Sequence, residues 1–145
     1  VAAPRVVLDT NVLLDLWVFA DPAVAPLAAA LAAGRLQPVR SAATDGELRA
    51  VLARPVFALS PERQGELVAD WLAGALAVEA PPVTGLRCRD PLDQKFVELA
   101  VAAGARFLVT RDRALLALAR RARDRGIAVL APAGFAAASA VERGA

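Results

Sequence analysis

The stretch Arg5-Val6-Val7-Leu8-Asp9-Thr10-Asn11 narrows the folds open to this chain more than any other. A short β-branched and leucine run without polar alternation is a strand covered on both faces, the usual condition of a strand in a parallel sheet. Asp9 is the first residue past it, and from Val12 onward apolar residues recur at helical spacing, so strand gives way to helix within a few positions. In open α/β sheets ligands sit beyond the carboxyl ends of the strands, which places Asp9 where chemistry is expected. Taken alone, Asp9 or Asn11 is more simply explained as a cap, since both side chains accept bonds from free helical N–H groups. The choice depends on what the other strand ends carry.

The rest of the chain alternates helical and strand patterns. Helices are expected over Val12 to Ala20 with Trp17 inside, over Ala23 to Ala33 before Gly34, and over Ser41 to Ala53. Another is expected over Pro61 to Leu76, with Ser60 as cap and Trp71 packed on its apolar stripe. Leu36 to Val39 reads as a short strand whose proline favours a poorly paired position, and Leu76 to Val78 as a brief one. Asp90-Pro91 opens a helix to Ala103 that Gly104 ends, and Arg106 to Thr110 is a second buried strand. Ala114 to Arg125 is a helix with Arg120, Arg121, Arg123 and Arg125 outward, Ile127 to Leu130 a last strand, and Pro132 to Ala140 a closing helical segment. This alternation argues a parallel α/β sandwich. A length of 145 residues suits a single domain over 1–145, with 141–145 expected as a frayed tail.

Composition removes several chemistries. The chain has no histidine, which excludes Ser-His-Asp catalysis, imidazole acid–base catalysis and ordinary His/Cys zinc sites. Cys88 is the only cysteine, so no intramolecular disulfide forms, a cytoplasmic location is expected, and the thiol lacks the basic partner of a nucleophile. Although 57% of residues are hydrophobic, no apolar run reaches the ~20 residues that cross a bilayer, and the first residues lack the features of a secretory signal. No membrane partner is expected. The net charge of +2 is too small to indicate a partner, and of seventeen basic residues only Lys95 is not arginine. Arginine suits phosphate, but a guanine–cytosine-rich gene gives the same bias. What remains is chemistry on carboxylates, hydroxyls, arginine or a bound metal.

Four acids fall on the expected scaffold at one edge. Asp112 follows the second buried strand closely, as Asp9 follows the first. Asp93 lies in the first turn of the helix opened by Asp90-Pro91, where a bland role is to stabilise the helix start, with Asp90 as the cap. Glu47 follows Thr44 by three, a capping-box spacing, so its bland role is to fold back on its own helix. The coincidence is what these roles leave unexplained, because a parallel sheet gathers all four positions onto one edge. Carboxylates brought close repel and raise one another's pKa unless protons or cations neutralise them. With only oxygen donors offered, the cation is a hard one, Mg²⁺ or Mn²⁺.

Four segments then carry a resemblance: Val6-Val7-Leu8-Asp9-Thr10-Asn11-Val12-Leu13, Ser41 through Glu47-Leu48 to Arg54-Pro55, Cys88-Arg89-Asp90-Pro91-Leu92-Asp93-Gln94-Lys95-Phe96, and Phe107-Leu108-Val109-Thr110-Arg111-Asp112. In this order and spacing the chain resembles the PIN-domain nucleases, and more narrowly the branch of toxin components of bacterial toxin–antitoxin pairs. The resemblance implies a three-layer α/β/α sandwich around a short, mainly parallel sheet, and metal-dependent cleavage of single-stranded RNA. It implies that Asp9, Glu47, Asp93 and Asp112 are the catalytic, metal-binding acids, that Asp90 is an extra acid of this branch with a metal-binding role beside its cap role, and that Asn11 and Thr110 support the first and last carboxylates. Asp9 is assigned as the central ligand, Asp93 and Asp112 as its partners, and Glu47 as a ligand or as the base that orients water.

Arg111 departs from the pattern, since related sequences often place glycine there; it either contacts RNA phosphate or changes the backbone before Asp112. Arg87, Arg89, Lys95, Arg111 and Arg113 are the candidates to track RNA, whereas the arginines from 120 to 125 read as a solvated helix face. A small cognate antitoxin covering the acidic cleft and a homodimer are the implied partners. Two rivals stand beside this reading. One is a PIN-like module that binds RNA or protein without cutting, which loss of an acid would have favoured. The other is a different Mg²⁺ phosphohydrolase or phospho-receiver, which fits poorly because Asn11 stands where the former wants aspartate and Ala131-Pro132 where the latter wants lysine.

Overall fold

The computed structural model describes residues 2–144. Five short strands, β1 (Arg5–Leu8), β2 (Gln37–Arg40), β3 (Leu76–Ala77), β4 (Phe107–Val109) and β5 (Ala128–Leu130), form one parallel sheet in the order β3-β2-β1-β4-β5. Leu8 pairs with Val109, so β1 and β4 end level and Asp9 and Thr110 are each the first residue past the sheet. Pro38 pairs with Val6 on β1, while β3 pairs only from Val39 onward, so the proline has a strand neighbour on one side alone, as its missing N–H requires.

Among the described residues eight α-helices accompany the sheet: α1 (Thr10–Leu14), α2 (Ala25–Ala32), α3 (Ala42–Leu52), α4 (Pro61–Gly74), α5 (Gln94–Ala103), α6 (Arg113–Leu116), α7 (Ala119–Arg123) and α8 (Pro132–Gly144). Successive strand residues point to opposite faces, and this divides the core in two. Val6, Leu8, Phe107 and Val109 pack with side chains of α1 to α4 and Phe135 of α8. Val7, Val39, Leu108 and Val129 pack on the other face with α5 to α7. The result is the expected three-layer α/β/α sandwich, with the central strands β1 and β4 buried from both sides and the edge strand β3 exposed. The links from β1 to β2 and from β3 to β4 run on opposite faces, so the crevice between the ends of β1 and β4 is the switch point, where such sheets place their ligands.

Local chemistry moves several boundaries. The first helix leaves the α-form after Leu14, continues as a π-helical turn over Asp15–Phe19 and ends at Ala20, whose φ of 48° closes the turn. The second helix begins at Ala25, not Ala23, because Pro26 can stand only in a first turn; a 3₁₀ turn over Pro22–Val24, capped by Asp21, precedes it. The helix expected over Ala114 to Arg125 is broken between α6 and α7, where the Leu118 N–H bonds the Leu115 carbonyl at 2.9 Å in tighter 3₁₀ fashion. Leu115, Leu118 and Ala122 stay buried across the break. Trp17 and Trp71 are not fully interior as expected: they meet edge to face at 5.9 Å and wall an open groove of about 650 Å³. Helical backbone extends through Gly144, across most of the stretch expected to fray, and Ala145 lies outside the described residues.

Candidate active site

Thr110 ties the two central strand ends together. Its fully buried hydroxyl donates to Asp9 Oδ2 at 2.6 Å and accepts from the Asp112 N–H at 2.9 Å. Asp9, 4% exposed, also accepts the Asn11 N–H on Oδ1 at 3.3 Å, so it does cap α1 while facing the switch point. Burial raises its pKa; the bonds from Thr110 and Asn11 oppose that rise, and the charges of Glu47 and Asp112 add to it. Asp112 caps α6 through Oδ1, which accepts from Ala114 and Leu115 at 2.7 and 3.3 Å. Its backbone is extended, with φ −74°.

Glu47 does not fold back on its own helix. The capping box of α3 is made by Ser41 and Thr44, which leaves Glu47 free to reach across the sheet edge. There Oε2 accepts the Thr10 hydroxyl at 2.5 Å and Oε1 the Lys95 ammonium at 2.9 Å. Lys95 also bonds the Leu92 carbonyl. A cation thus already stands among the carboxylates, supplied from α5.

Asp93 is the most stressed member. It makes no capping bond, and its Oδ2 is buried without a hydrogen-bond partner among the described residues. Burial, the charge of Asp112, a carboxyl–carboxylate hydrogen bond with it, and the charges of Asp9 and Asp90 push its pKa up to about 7. Asp90 keeps its bland role, accepting the Leu92 N–H at 3.0 Å as cap of the 3₁₀ turn Pro91–Asp93. Among the described residues no three Asp, Glu or Cys side chains already form a ligand shell; Asp9, Glu47, Asp93 and Asp112 stand as neighbours whose charges act on one another. The orphaned Asp93 oxygen and the all-oxygen donor set fit a hard divalent cation. Asp45 Oδ1 is also buried and unpartnered, but Asp45 is paired with Arg40 at 2.7 Å, and Arg40 reaches the Leu72 and Ala75 carbonyls, which fastens α3 to the end of α4.

The basic candidates separate. Arg87, Arg89 and Arg113 are exposed. Arg111 is drawn away from the acids: Nε bonds Asp15 at 2.7 Å and an Nη bonds Asp21 at 3.3 Å. Lys95 belongs to the cluster itself. Sequence reasoning missed three side chains: Thr10, the donor to Glu47, and the pair Asp15 and Asp21 that hold Arg111. It also missed Gln94, buried, whose amide accepts the Cys88 N–H at 2.6 Å and donates to the Leu86 carbonyl at 3.0 Å, pinning the loop that carries Arg87 and Arg89 to α5. Burial pushes the pKa of the buried Cys88 thiol up, with nearby Asp93, Asp112 and Asp90 adding to the rise over an opposing backbone bond, which disfavours the thiolate.

A doubly wound α/β/α fold with carboxylates gathered at its switch point defines the class to which this chain belongs. Within that class, the sequence model of the PIN domain matches residues 5–114, more than half of the chain, and takes in all four acids. The chain belongs to the PIN-domain family, whose members are generally nucleases that bind nucleic acid and typically use divalent metal ions. Neither the curated proteins nor the solved structures contain a match.

Proposed function

We propose that this protein is an endoribonuclease that cleaves single-stranded RNA with Mg²⁺ or Mn²⁺, and that it is the toxin of a toxin–antitoxin pair acting in the cytoplasm. The observation that carries the reading is the partnerless Asp93 oxygen, buried beside two carboxylates that Thr110 holds in place. Asp9, Asp93 and Asp112 would hold the ion, with Glu47 as a further ligand or as the group that orients the attacking water. When bound, the cation activates water and offsets charge on the phosphate. Thr110 and Asn11 keep Asp9 aimed, and Asp90 fixes the turn that presents Asp93. Arg87, Arg89 and Arg113 follow the RNA backbone, and Lys95 holds Glu47 until substrate and metal arrive.

The partners belong to the same proposal. The fit of the Lys95 ammonium against Glu47 supports a cognate antitoxin that inserts an arginine among these acids. The groove walled by Trp17 and Trp71 supports a protein contact, with an antitoxin or a second copy in a homodimer. The test is incubation of purified protein with single-stranded and duplex RNA in Mn²⁺, Mg²⁺ or EDTA, beside Asp9→Asn. Cleavage of the single strand alone, abolished by EDTA and by the variant, is expected. Cutting that persists in either condition refutes the mechanism, and tight RNA binding without cutting in any metal establishes the non-catalytic module instead.

A further inference from the structure

Next to the acids lies a cavity of about 460 Å³, a size that suits small-molecule groups. Its walls are Ala42, Ala43, Val78, Ala80 and Pro81, with Ser41 and the side chain of Lys95 beside them. The Lys95 ammonium is committed elsewhere, to Glu47 and the Leu92 carbonyl, so the cavity lies one side chain's length from the acid cluster. The charged groups left to it are Glu79 and Glu98, neither of which pairs with a cation among the described residues. Glu98 is half-buried on α5, one turn past Lys95. Two carboxylates repel a phosphate. They favour an uncharged, planar group rich in N–H donors, held between apolar walls.

A nucleobase splayed from a single strand has that chemistry, because its Watson–Crick edge is open to side chains. Among the four, guanine presents adjacent N1–H and N2–H donors that one carboxylate accepts with two parallel bonds, whereas uracil offers a single N–H flanked by carbonyls that a carboxylate repels. We propose that this cavity is a guanine-selective subsite for a nucleotide beside the cut, with Glu98 as the specificity-determining residue. The proposal rests on the ribonuclease reading, and its test separates the two.

The first measurement needs no cleavage: ¹⁵N-labelled protein in EDTA is titrated with guanosine 5′-monophosphate, uridine 5′-monophosphate and inorganic phosphate. Guanosine monophosphate is expected to shift the amide resonances of Ala42, Ala43 and Ala80 at concentrations where the other two do not, and Glu98→Gln is expected to lose the response. Equal response to uridine monophosphate or phosphate, or shifts confined to other residues, overturns the proposal. The second measurement maps cut sites in random single-stranded RNA. Guanine is expected at a fixed offset from the cut with about tenfold preference, the scale of one good bidentate base contact, and Glu98→Gln or the cavity-filling Ala43→Trp is expected to flatten it. RNA cut without base preference, or with a preference both variants keep, overturns the subsite and leaves the nuclease standing. If no RNA is cut, the nuclease reading fails and the nucleotide titration still decides what the cavity binds.

Discussion

Thr110 serves two carboxylates with one hydroxyl, and its removal is a sharp test of how the cluster is held. Thr110→Val keeps the shape but leaves Asp9 Oδ2 buried without a donor and the Asp112 N–H without its acceptor. A loss of about 1–3 kcal/mol in urea denaturation is expected, the cost of stranding buried polar groups; a loss below about 0.5 kcal/mol would mean that water replaces the hydroxyl freely. Asp93 makes a prediction of opposite sign. Its pKa lies at 3.8 in the unfolded chain and about 7 in the fold, so between those values the folded state holds the extra proton. Its destabilising effect is absent below the lower value, grows as pH rises, and is complete above about 7. In EDTA, Asp93→Asn is therefore expected to gain stability relative to wild type from pH 5 to about pH 7 and to hold that gain at higher pH, and a gap that does not change with pH would show that Asp93 is not under charge stress.

Among the elements, the π-helical turn and its tether stand out. Asp15–Phe19 leaves the regular helix, and Arg111 spans from the end of β4 to Asp15 at its start and Asp21 just past its end. Arg111 is 43% exposed, so the two ion pairs contribute little to global stability. Their effect is local. Arg111→Ala is expected to change the unfolding midpoint only marginally while hydrogen exchange at residues 15–21 speeds up several-fold; unchanged exchange there would show that the segment holds itself. This tether also marks where sequence reading stopped. Val6–Leu8 and Phe107–Val109 announce two buried strands, so Asp9 and Asp112 were legible as residues at one sheet edge. The bond from Lys95 to Glu47 and the reach of Arg111 to Asp15 were not, because 48 and 96 residues separate the partners and no local periodicity encodes them. Why Glu47 reaches Thr10 and Lys95 was obscured by its spacing: Ser41 and Thr44 close the capping box between themselves. The break at Leu118 was hidden because the apolar residues on both sides of it keep helical spacing.

At the scale of the molecule, the acids repel one another, and the proposed cation would relieve that repulsion. A divalent cation that binds the folded chain adds about 2.7 kcal/mol at one hundred times its dissociation constant. Melting in Mg²⁺ or Mn²⁺ is therefore expected several degrees above melting in EDTA, with the gain lost in Asp93→Asn; an equal gain in the variant would place the ion elsewhere. The order β3-β2-β1-β4-β5 carries one more consequence. Its central seam joins the first strand to the fourth, and the Thr110–Asp9 bond that closes the cluster spans 101 residues. A chain emerging from the ribosome has already exposed Asp9, Glu47 and Asp93 before it has any Thr110 to set them with. Whatever this cluster does to nucleic acid, the nascent polypeptide cannot do it with Asp9 held in place until Thr110 has been released.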